Sequence, residues 1–140
     1  MNKKSLQTIS KETFKKYGTV IEFTPAMNDG WEILITEKEA GWRVALLEFS
    51  RKHTNMLENH PASKETFEPM RGTALLIAAE HHSPENFEIF LLDKPVCVEK
   101  GVWHQVIALS DSAQVKITEN LDVACEYHTL KTDIQPQIVW

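Results

Sequence analysis

An all-β sandwich or barrel preceded by one short helix is the fold class this sequence predicts. Short runs rich in β-branched and aromatic residues recur at intervals of about ten residues. Turn signals separate them, and no stretch beyond the first residues sustains a helical period. The 140 residues suffice for one domain, 1–140, with a core that needs no staples.

Ser10 is placed to cap a helix running through Lys16, with Glu12 in its first turn and Gly18 just past its end. Phe14 and Tyr17, three apart, would share the inner face of that helix. Lys3, Lys4, Lys11, Lys15 and Lys16 are interrupted by acids and hydroxyls and read as a solvated face. After Gly18 the period changes. Residues 19–23 read as a strand, Pro25 to Gly30 as a turn around Asn28-Asp29-Gly30, and 31–36 and 42–49 as further strands. Leu46 and Leu47 break the alternation, which predicts a strand covered on both faces. Strands are also expected at 73–79, 87–92, 102–109, 115–118 and 123–127, with turns at 81–86, 93–95 and 110–112. Trp31, Trp42 and Trp103 are assigned to the core. The tail 131–140 carries Pro136 and ends Ile138-Val139-Trp140, an apolar end expected to dock on the domain or on a partner subunit.

The net charge of −5 argues against general nucleic-acid binding, which needs clustered Lys and Arg. No apolar run reaches the roughly 18 residues of a membrane span. The start lacks the apolar segment of a signal peptide. Cys97 and Cys125 lie far apart in apolar strand-like runs, which predicts buried free thiols and a reducing cytoplasm.

Two stretches carry chemistry. In Glu58-Asn59-His60-Pro61, Glu58 and His60 project to one face of a strand. Pro61 then forces a turn, and Glu65 can return to the same pocket. About forty residues on, Gly101-Val102-Trp103-His104 delivers a second imidazole after a glycine turn. Two carboxylates and two imidazoles suit a divalent metal (Zn²⁺, Mn²⁺, Fe²⁺ or Ni²⁺) or a proton-transfer site. The plainer readings stand beside these: an exposed polar strand face, Glu65 as a surface partner of Lys64 or Arg71, and His104 as a core histidine beside Val102, Val106 and Ala108. Arg71 and Arg43 could clamp a substrate carboxylate or sit at the surface. His81-His82 reads as a solvated turn, and His53 and His128 lack motif support.

The spacing Glu58-x-His60, four residues, Glu65, six residues, Gly72 resembles the first motif of the cupin superfamily, with Glu58 in place of its first histidine. Of the second cupin motif, Gly101 and His104 keep the G-x-x-H. A closer resemblance is to the ureidoglycolate lyase family, itself cupin-like. It rests on Leu57-Glu58-Asn59-His60-Pro61, Phe67, Pro69-Met70, Gly72, Gly101-Val102-Trp103-His104 and the opening Tyr17-Gly18-Thr19-Val20-Ile21-Glu22. Glu65 stands where that family usually has Gln.

The resemblance implies a cupin-like double-stranded β-barrel (jelly roll) with a small polar acid in its mouth. In one version a divalent metal would be held by Glu58, His60, Glu65 and His104; in the other, without a metal, Glu65 or His104 would act directly as the base and Arg71 would hold the carboxylate. Glu65 and His104 would be the catalytic residues, and Arg71 and Arg43 would bind substrate. It also implies a homodimer and cleavage of ureidoglycolate to glyoxylate and urea. The alternatives are another cupin reaction, such as isomerisation of a sugar or keto acid, and a cupin that binds a ligand without turning it over.

Overall fold

The computed structural model describes residues 3–26 and 29–137. Its elements are β1 (Leu6–Gln7), α1 (Lys11–Phe14), β2 (Gly18–Val20), β3 (Trp42–Phe49), β4 (Thr54–Asn59), β5 (Glu65–Arg71), β6 (Ala74–Ala79), β7 (Glu88–Leu91), β8 (Val96–Val98), β9 (Trp103–Ala108), β10 (Ala113–Asn120) and β11 (Glu126–Ile134). They form a six-stranded sheet, β1-β7-β6-β9-β4-β11, and a five-stranded sheet, β2-β8-β5-β10-β3. Between β3 and β6 the chain changes sheet at every strand, and again from β7 to β11. This is the jelly-roll course of a cupin-like double-stranded barrel, as the resemblance implied.

Two apolar clusters hold it. One fills the space between the sheets with Phe67, Leu76, Phe90, Val96, Val106 and Val115. The other, including Leu57, Leu75, Ile77, Ile107, Leu130 and Ile134, covers the opposite face of the six-stranded sheet. Strand β6 contributes Leu76 to the first and Leu75 and Ile77 to the second, so all of Ala74–Ala79 is buried. Burial on both faces, expected at 42–49, belongs to β6. Strand β3 is an edge, and its Leu46 is 70% exposed.

Other expectations shift for local reasons. Ser10 caps α1, accepting from the Thr13 amide while Thr13 Oγ1 accepts from the Ser10 amide. The helix ends at Phe14, short of Lys16, because Gly18 is already in β2. A Cβ on Gly18 would stand 1.8 Å from the Cys97 carbonyl oxygen, so glycine serves a close strand approach there and is no helix cap. Phe14 and Tyr17 do share a face, edge to face at 5.7 Å. Residues 31–36 form no strand. They run as a strap, tied by Lys64 Nζ donating to the Thr36 carbonyl and by Glu32 accepting from Thr24. Trp31 (73% exposed) and Trp42 (70%) are outside the core, and only Trp103 of the three is buried. The last strand begins at Glu126, later than expected, and buries Leu130 and Ile134. Asn28 and the terminal Ile138-Val139-Trp140 lie outside the described residues.

Candidate functional site

Strand register assembles the site. Glu58 in β4 lies opposite His104 in β9, and Tyr127 in β11 lies opposite Glu58, making one row across the six-stranded sheet. In the other sheet Arg43, Glu119 and Glu65 make a matching row across β3, β10 and β5. Directly paired residues share a face of their sheet. His60 follows β4, and the turn begun by Pro61 returns the chain to Glu65 at the head of β5. Gly101, at φ +78°, donates its amide to the His60 carbonyl at 3.0 Å, tying the two motif segments together. A side chain there would be strained by that backbone angle.

The side chains converge. His60 Nε2 is 2.9 Å and His104 Nε2 2.8 Å from Glu65 Oε2, and all three residues are buried. Glu58 Oε1 stands farther out, 3.8 Å from His104 Nε2. The Nδ1 of His104 lies 3.0 Å from the Val102 carbonyl, and that of His60 lies 3.2 Å from the Ala124 carbonyl. A carbonyl can only accept, so both Nδ1 atoms carry protons and both Nε2 atoms point at Glu65.

Burial opposes charge on Glu65, but the His104 and His60 imidazoles beside it outweigh burial and hold the carboxyl down at about 2. Burial likewise opposes charge on His60, and the adjacent Glu65 carboxylate overcomes it, raising the imidazole to about 9.

Glu65 Oε2 and His104 Nε2 are buried without a properly directed hydrogen-bond partner, although they are 2.8 Å apart. Both atoms therefore face the same buried space without a partner of their own. Donors bound at about 2.1 Å around one ion stand ~3 Å apart, which is the spacing of this cluster. His60, Glu65 and His104 thus fit a divalent ion, with Glu58 at the edge of the set. Two imidazoles and a carboxylate suit several first-row metals.

Arg43 reaches the rim of the site. Its Nη2 and Nε donate to Glu119 Oε1 at 2.8 and 3.2 Å, and the hydrogen bond to Glu119 raises its already high pKa. Arg71 is not brought there. It ends β5, six residues after Glu65, about 20 Å away at ~3.3 Å per residue, and it is exposed. Glu65 is no surface partner of Lys64 or Arg71, because its carboxylate faces inward.

Sequence reasoning missed three residues. Glu119 has a side chain only 7% exposed and a buried Oε2 without a partner. Tyr127 and Cys125 lie at the exposed rim, with Cys125 Sγ 3.4 Å from His60 Nδ1. Both cysteines are free, as expected, but only Cys97 is buried, and burial raises its thiol to about 11. The other histidines sit elsewhere. His81 is exposed and stacks on Trp103, His128 bonds Glu85, and His53 bonds Asp133.

Comparison with known proteins places these residues in context. Residues 37–137 match the family described as ureidoglycolate lyase. Over 89 residues the chain is 32% identical to a ureidoglycolate lyase of Azotobacter vinelandii, covering 57% of this chain and 54% of that protein. The match thus spans about half the length of that relative. Among solved structures, a mutant of Bacillus subtilis oxalate decarboxylase matches with TM-score 0.47 and 17% identity over 64% of this chain and 24% of that one. A dTDP sugar isomerase from Desulfovibrio desulfuricans matches with TM-score 0.44 and 10% identity over 79% of this chain and 78% of that one.

Proposed function

Since the chain belongs to the ureidoglycolate lyase family, we propose that it cleaves ureidoglycolate to glyoxylate and urea at the His60–Glu65–His104 cluster. The observation that carries this reading is the buried Glu65 Oε2 with two imidazoles against it, where neither that oxygen nor His104 Nε2 has a directed partner. Such an arrangement is costly unless a ligand completes it.

A divalent ion held by His60, Glu65 and His104, when bound, would supply charge that lowers the pKa of the substrate hydroxyl. The residues' own tasks follow from their positions. Arg43 at the rim binds the substrate carboxylate with donors beyond the two given to Glu119. Glu58, partly exposed and outermost of the cluster, takes the hydroxyl proton as the carbon–oxygen double bond forms. The carbon–nitrogen bond breaks, and the same carboxyl returns the proton to the departing urea nitrogen. Glu65, buried between His60 and His104, supplies the fixed negative charge of the site. The carbonyls of Val102 and Ala124 hold both imidazoles in orientation.

Homodimerisation belongs to the same proposal. Strand β3 is a sheet edge whose outward residues Trp42 (70% exposed), Val44 (53%) and Leu46 (70%) form an apolar row. An open edge pairs best with another extended strand, and β3 of a second copy supplies an identical one. A cytoplasmic setting is also proposed, on the two free thiols. Among the described residues no helix is long and apolar enough to cross a membrane. The test of the reaction is enzymatic glyoxylate release from ureidoglycolate, measured above the spontaneous decay of that compound.

A further inference from the structure

The two nitrogens of His60 face two different sets of donors. Nε2 points inward to Glu65 at 2.9 Å. On the opposite edge of the ring, Nδ1 lies 3.4 Å from the Cys125 sulfur, and Glu58, His60 and Cys125 each offer a ligand atom within 4.8 Å of the others. Cys125 is exposed and Glu58 partly so, which leaves this group open to solvent.

We propose that Glu58, His60 and Cys125 form a second metal site at the barrel mouth, for a thiophilic divalent ion such as Zn²⁺, with His60 ligating through Nδ1. Three features support it. A sulfur and a nitrogen bound tetrahedrally at about 2.3 and 2.1 Å stand ~3.6 Å apart, close to the observed separation of these two atoms. Oxygen, nitrogen and sulfur donors together, with water completing the set, are a combination that zinc accepts and harder ions avoid. A histidine that binds metal through one nitrogen typically donates its other N–H to a carboxylate, which fixes the tautomer. Glu65 is that carboxylate, already facing Nε2.

Binding releases the thiol proton and the Nδ1 proton now shared with the Ala124 carbonyl. The two centres compete for one imidazole: an ion in the inner cluster takes Nε2, whereas an ion at the mouth needs Nε2 protonated. Mouth occupancy therefore draws His60 away from the inner cluster and engages Glu58 as well.

Cobalt(II) chloride titrated into the metal-free full chain tests this, because thiolate ligation adds a near-ultraviolet charge-transfer band that imidazole and carboxylate ligation do not. The wild type should develop the band, and Cys125→Ser, at an exposed position that should leave folding intact, should lose it. Glu58→Gln, which removes the carboxylate ligand and keeps the thiolate, should keep the band but reach it only at higher cobalt. A wild type without the band, or a band that survives in Cys125→Ser, overturns the proposal. Neither result touches the lyase reading, which is measured by glyoxylate release.

Discussion

The Glu65 carboxylate and the His104 imidazole stand 2.8 Å apart inside the barrel without a directed hydrogen bond between them. Two buried polar atoms in that relation are poised for a shared third partner. His104→Ala and Glu65→Gln should each weaken binding of Mn²⁺ or Zn²⁺ at the inner cluster by at least 10-fold, as read by isothermal titration calorimetry. Unchanged affinity in both would show that the ion binds elsewhere.

Stability of the metal-free protein should depend on pH through the same cluster. The Glu65 value in the fold, about 2, lies below its ordinary 4.5, because His104 and His60 outweigh the burial that opposes charge. Its contribution is thus present above about 4.5 and is lost as pH falls towards 2. The His60 value, about 9, lies above its ordinary 6.5, because Glu65 outweighs the burial that opposes charge. That contribution is complete below about 6.5 and is lost as pH rises through 9. Thermal melts in chelator should therefore peak between pH ~4.5 and ~6.5. A melting temperature that climbs steadily from pH 7 to 9 would contradict the ion pair.

The two arginines should separate cleanly. Arg43 at the rim donates charged hydrogen bonds worth about 1.5–3 kcal/mol each, so Arg43→Ala should raise KM roughly 10–150-fold. The same change leaves buried Glu119 without its cation and should lower the melting temperature. Arg71→Ala, at the far end of β5, should leave KM unchanged and shift stability by no more than about 0.5 kcal/mol. An equal KM effect from both variants would remove Arg43 from the site.

For the subunit interface, Leu46→Glu places a charge in the exposed apolar row of β3. Light scattering coupled to gel filtration should give a dimer for the wild type and a monomer for the variant. A monomeric wild type would dismiss the interface.

Much of the centre was legible in the sequence, because Glu58, His60 and Glu65 lie within one strand–turn–strand and their spacing survives folding intact. His104 was legible through its motif. Glu119, Tyr127 and Cys125 were not, because their places depend on the pairings β10–β5 and β11–β4, which join segments more than forty residues apart. Arg71 misled because it is near Glu65 in sequence, and a seven-residue strand carries that neighbour to the other end of the barrel. Trp31, Trp42 and Leu46 misled for another reason: an apolar side chain marks surface to be covered but does not say whether the same chain covers it.

The decisive measurement is glyoxylate release from ureidoglycolate, with Mn²⁺ or Zn²⁺ added and spontaneous decay subtracted. His104→Ala at the same concentration is the control. The wild type should release glyoxylate well above background, and the variant rate should fall to background. A wild type that releases no more glyoxylate than the variant, while both are folded, would contradict it.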